Sequence, residues 1–139
     1  MQNQHHVPTV VEYARAFRAL EPTMTPNQRQ LLVVHHAAQA RVMTASLLAE
    51  RLGFESYDAV NLQYGMLARQ VADQLGIDVG DIKIGILVDF VSPGQTGNEH
   101  HLWVMRQNVA EAIEALGWVP PVSHLLYPHL AIAEAPATA

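Results

Sequence analysis

A tight, glycine-led turn between two helical segments of unequal length constrains this chain most. The stretch "TASLLAERLG", from Thr44, carries Leu47, Leu48 and Leu52 at helical spacing and ends on Gly53. Glycine enters the left-handed backbone region without strain, so it is a natural helix stop. After "GFES" comes a long helical stretch, with Ser56 as its N-cap and Gly76 as its end. A short helix, a tight turn and a longer helix form a helix-turn-helix pattern.

The long helix has two unlike faces. At about 100° per residue, Val60, Tyr64, Leu67, Val71 and Leu75 make one seam, the expected core face. Asp58, Leu62, Gly65, Met66, Arg69 and Asp73 point the other way, with Asn61 on the flank. An internal glycine destabilises a helix by roughly 1 kcal/mol relative to alanine, so Gly65 needs a reason. One reading buries Leu62 and Met66 under the N-terminal helix, with Gly65 letting that helix approach; for Leu62 and Met66 this is the expectation. The other reading leaves Gly65 bare for a partner.

The neighbouring segments supply the rest of a domain. Residues 10–20, "VVEYARAFRAL", put Val10, Tyr13, Ala14, Phe17 and Leu20 on one helical face before Pro22. In "TPNQRQLLVVHHAAQA", Thr25 is the N-cap, Pro26 the first helical residue, and Gln28 the far half of a capping box. Leu31, Leu32 and His35, with Gln39 as an extension, continue its inner face. After Gly76 the period switches to two: Ile82, Ile84, Ile86, Val88 and Phe90 share one face of an expected strand. "SPGQTGNE" is turn-rich, "HHLWVMR" a second strand, and "QNVAEAIEALG" a helix with Val109, Ile113 and Leu116 inward.

These elements predict an α+β winged helix-turn-helix over residues 1–119. The hairpin would be the wing, followed by a packing helix. Residues 120–139 are a Pro- and Ala-rich strap and tail, docked through Leu125, Leu126 and Tyr127. The structural alternative is an α+β domain of the same elements that never touches DNA.

On a winged helix the opening turns of the long helix read bases, and Asn and Gln can bond adenine bidentately. The candidate DNA-binding residues are therefore Ser56, Tyr57, Asp58, Asn61, Gln63, Gly65, Arg69 and Lys83. Positive charge would come from Arg41, Arg51, Arg69, Lys83 and Arg106. Charge works against this reading: eight Lys and Arg face thirteen Asp and Glu, for a net charge of -5, whereas phosphate contacts need cations.

Catalysis finds little support. Histidines pair at His5-His6, His35-His36 and His100-His101, with His124 and His129 besides. Adjacent residues diverge on a helix and on a strand, and the i, i+4 spacing of a helical chelate does not occur. "NEHHLWVMR" before a helix is superficially similar to the ββα core of HNH nucleases. That core needs a further Asn or His on the helix, and only Asn108, at its very start, is offered. No nucleophile with a base, and no phosphate-cradling glycine loop, stands out. Glu111 and Glu114 lie at i, i+3 on an exposed face, where solvation is their expected role. A chain without cysteine has no disulfides or thiolate sites. The N-terminus lacks the basic and apolar regions of a signal peptide, and "IGILVDFV" is too short and too charged to span a membrane. No enzyme activity, metal, cofactor or membrane partner is expected, and the expected location is cytoplasmic.

The stretch "LLVVHHAAQARVMTASLLAERLGFESYDAVNLQYGMLARQVADQLG" resembles a bacterial domain found alone or preceding HNH endonuclease domains in restriction-like proteins. That pattern runs roughly L-x-x-H-Y-x-A-P, T-A-x-x-L-A-x-x-x-G-Y, then A-x-N-L-Q-Y-G-x-L-A. His35 matches its histidine, and His36 replaces its tyrosine. Thr44, Ala45, Leu48, Ala49 and Gly53 match, with Phe54 for tyrosine. Ala59, Asn61, Leu62, Gln63, Tyr64, Gly65, Leu67 and Ala68 match the last block. "LWVMRQNVAEAIEALGWV" is similar to the closing segment, with Gln107 in place of a proline. The resemblance covers about residues 25–119. It implies a DNA-associated, non-catalytic module, plain or modification-reading, related to restriction or phage defence. The acidic charge instead favours a protein-binding inhibitor or adaptor, with a protein partner or homodimer in place of double-stranded DNA.

Overall fold

The computed structural model describes residues 7–78, 84–91 and 102–121. Helix α1, Val10–Leu20, starts at a reciprocal capping box in which Thr9 and Glu12 each satisfy the other's backbone N–H. Helix α2, Pro26–Ala37, starts the same way through Thr25 and Gln28. Helix α3, Ala45–Leu52, is capped by the Thr44 hydroxyl, which accepts from the Leu47 N–H. Gly53 stops it at φ 75, and after a short turn the long helix α4, Tyr57–Leu75, runs to Gly76 at φ 68. Helix α5 covers Gln107–Ala115.

Three short strands complete the fold. Strand β1 is Val42–Met43, β2 is Val88–Val91 and β3 is Leu102–Met105. They form an antiparallel sheet in the order β1-β3-β2. Met43 and Phe90 both pair with Trp103, so the three side chains share one face of the sheet. Trp103 meets the ring of Tyr64 on α4 with centroids 5.6 Å apart, and Phe90 stands edge-on to Trp103 at 5.4 Å. Helix α1 lies across α4 and α5. Its Tyr13, Ala16, Phe17 and Leu20 enter a core shared with Leu31, Leu32, Leu48, Leu67 and Ile113.

The expected strand over residues 82–91 is shorter and differently built. Ile84–Ile86 is a 3₁₀ turn, closed by the Leu87 N–H donating to the Ile84 carbonyl, and the strand begins at Val88. Residues 82 and 83 lie outside the described residues. Ladder bonding ends with the Arg106 N–H donating to Leu87 O, and the carbonyls before it are captured by side chains: Arg106 Nε donates to Gly85 O at 2.9 Å, and the Tyr13 hydroxyl donates to Ile86 O. The turn also buries Ile86, Leu87 and Val88 in succession and leaves Phe90 44% exposed. Alternation is therefore broken at this point.

Two further departures are local. Helix α2 stops at Ala37, short of Gln39, because Gln39–Arg41 form a 3₁₀ turn with Ala40 at φ 57. That turn feeds β1, which was not expected. The loop "SPGQTGNE" and the strap through Leu125, Leu126 and Tyr127 lie outside the described residues. Among the described residues, no helix is long and apolar enough to cross a membrane.

Candidate recognition face on the long helix

The inner seam of α4 is as expected. Val60, Tyr64, Leu67 and Val71 are each fully buried. Leu75 is partly buried against the same core. Tyr64 is more than filler. Its hydroxyl lies 2.8 Å from His35 Nδ1, and His35 Nε2 lies 2.8 Å from the Trp103 carbonyl. A carbonyl only accepts, so Nε2 carries the ring proton and Nδ1 accepts from the Tyr64 hydroxyl. This neutral relay ties α2, α4 and β3 together. Burial pushes the His35 pKa down to about 4, and burial likewise raises that of Tyr64.

The outer face differs from expectation. Leu62 and Met66 are not covered by α1: they are 61% and 45% exposed. Helix α1 meets α4 elsewhere, because Tyr13 and Phe17 seek the buried seam. Nor does α1 account for Gly65. A Cβ added there would meet only the Ile84 side chain, at 3.9 and 4.0 Å, which is ordinary contact. Packing among the described residues therefore leaves room for a side chain at this position.

Of the eight candidate DNA-binding residues, the seven described ones are spread around the start and both flanks of α4. Ser56 holds the N-cap position in extended conformation, but its side chain makes no cap bond. Tyr57 is partly buried against the core. Asn61 and Gln63 are both half-buried. They stand about 200° apart around the helix, on opposite flanks. Asp58 and Arg69 are exposed and share the Leu62 face, with half-buried Gly65 at its edge. Lys83 lies outside the described residues.

Of the cations expected to supply charge, Arg41 and Arg106 are engaged in the fold. Arg41 Nε donates to Met105 O at 3.0 Å. Arg106 binds Gly85 O and pairs with Asp89 at 3.1 Å. Arg29, outside that set, pairs with Glu21 at 3.4 Å and lies 4.0 Å from the centroid of Trp118. On α3 and α4, Arg51 and Arg69 are exposed, among Glu50, Glu55, Asp58 and Asp73.

The histidines and carboxylates serve structure too. His36 is buried, with Nε2 2.7 Å from Glu114 Oε2. Glu114 is therefore not the solvated carboxylate expected: it anchors α5 to α2. Glu111 accepts from Gln107 Nε2 at 2.8 Å. Among the described residues, no group of three or more His, Asp or Glu is placed to hold a metal ion. His5, His6, His100, His101, His124 and His129 lie outside those residues. The exposed apolar pair on α4 was visible in the sequence but assigned to the core. Ile84 belongs to the apolar face of the expected strand, and nothing in the sequence sets it beside Gly65.

No protein-family model, curated protein or solved structure matches the chain.

Proposed function

We propose that the chain is a non-catalytic recognition module of winged-helix form, and that the outer face of α4 docks on a protein as an inhibitor or adaptor does. The winged-helix reading is supported by element order. Helix α2, β1, α3, α4 and the β2-β3 hairpin follow one another, β1 returns to the far edge of the sheet, and α3 and α4 are joined by the Gly53 turn. Fold alone assigns no partner. The observation that carries the protein reading is the exposed Leu62 and Met66 beside half-buried Gly65, in a neighbourhood with more acid than base. Apolar side chains gathered on a surface gain from leaving water, whereas duplex DNA would demand phosphate contacts. A setting in restriction or phage defence rests on the resemblance through the "NLQYG" block alone.

A photo-crosslinking amino acid at position 66, introduced in cells, tests this. The expected product is a protease-sensitive, nuclease-resistant adduct. A nuclease-sensitive adduct, or none, would overturn the reading.

Double-stranded DNA is the second reading. It is favoured by the element order and by Asn61 near the exposed opening of α4. Gel shifts on plain and modified duplexes at two salt concentrations separate the two. DNA binding would weaken as salt rises, because phosphate neutralisation releases counterions.

A further inference from the structure

The exposed stripe of α4 is self-complementary. Asp58, Leu62, Gly65 and Arg69 follow at steps of four, three and four, the spacing of a coiled-coil seam. The level midway between residues 63 and 64 is equidistant from Leu62 and Gly65. It is equidistant from Asp58 and Arg69 too, each about 8 Å along the axis at 1.5 Å per residue. Among the described residues neither Asp58 nor Arg69 has an ion-pair partner.

We propose that two copies of the chain pair their α4 helices antiparallel about a twofold axis at that level. Leu62 of each copy then lies over the half-buried Gly65 of the other, with Met66 alongside. Asp58 of each copy meets Arg69 of the other, once at each end. A twofold contact uses the same patch on both subunits, so every favourable pair occurs twice. The charges select this orientation. Parallel pairing in register would set Asp58 against Asp58 and Arg69 against Arg69, which is repulsive. A second copy also accounts for Gly65. Its added Cβ would touch Ile84 at 3.9 Å, an ordinary contact, so internal packing does not demand a glycine there. The missing side chain on the exposed side of this half-buried position lets the facing Leu62 approach closely.

The proposal rests on reading α4 as a protein contact, and names the partner for that contact. It is tested by sedimentation equilibrium of the full chain over concentrations from about 1 to several hundred µM, a range suited to an interface of one helix pair. The expected result is a monomer–dimer equilibrium. Leu62→Arg should weaken it at least ~tenfold, as removal of a central anchor does. Asp58→Arg and Arg69→Asp should each weaken it, and the double swap should recover most of the loss. Circular dichroism melts of every variant exclude misfolding as the cause. A chain monomeric at all concentrations, a dimer indifferent to Leu62→Arg, or a double swap no better than the single changes would overturn self-pairing. The crosslink at position 66 keeps the two ideas apart. An adduct to a different protein, with a monomeric chain, would overturn self-pairing and leave protein docking intact. No adduct at all would overturn both.

Discussion

His35 gives the sharpest stability prediction. Its ring accepts from Tyr64 and donates to the Trp103 carbonyl, and its full burial, which outweighs the opposing effect of the carbonyl bond, lowers its pKa from 6.5 to about 4. The unfolded chain takes up a proton on this side chain near pH 6.5, whereas the folded chain resists until pH 4. Between those values the unfolded state binds more protons, so stability falls as pH falls. The contribution is complete above about pH 6.5 and lost progressively down to about pH 4. At about 1.4 kcal/mol per pKa unit, lowering the pH from 7.5 to 4.5 should remove roughly 2–3 kcal/mol through this one residue. For a domain of this size that is roughly 10 °C in melting temperature. His35→Gln removes the titration while keeping a polar side chain. It should be less stable at pH 7.5, since a buried network is disturbed, but its stability should decline less toward pH 4.5 by roughly the same 2–3 kcal/mol. Urea titrations of both proteins at several pH values measure the difference, and other titrating groups cancel in the comparison. Parallel pH profiles for the two proteins would refute a buried, neutral His35.

Gly65→Ala should leave the monomer as stable or up to about 1 kcal/mol more stable in urea unfolding, since alanine favours helix and its Cβ meets only Ile84 at contact distance. A clear loss of stability would show that packing needs the glycine. Tyr13→Phe should cost about 1–3 kcal/mol, because the Ile86 carbonyl is left without its donor in a buried place. An unchanged denaturation midpoint would mean that this hydroxyl does not hold the 3₁₀ turn.

The helices were legible where the signal is local. Thr25, Pro26 and Gln28 announce the start of α2, and the Val60–Tyr64–Leu67–Val71 seam marks the buried side of α4. Local signals fail when a distant group decides. Nothing near Ile84 says that Tyr13 and Arg106 will capture the carbonyls of Ile86 and Gly85 and bend the chain there. Strand β1 has only two residues, Val42 and Met43, too few for alternation to register. Glu114 looked solvated because its partner, His36, lies far away in sequence. The outer face of α4 was legible in content but not in exposure. Periodicity shows that Leu62 and Met66 share a side, and only the packed fold shows that α1 does not cover it.

Strand β3 and helix α5 are the last of the described elements to leave the ribosome, yet they hold the partners of much earlier residues. His35 waits for the Trp103 carbonyl, Arg41 for that of Met105, and His36 for Glu114. The central position in the sheet also belongs to β3, so β1 and β2 cannot join without it. A nascent chain ending before Leu102 would therefore carry a half-made interior with polar groups that have nowhere to bond. Synthesis of the closing segment is then the event that commits the chain to its native state, and contacts of such long separation set a slow pace for it.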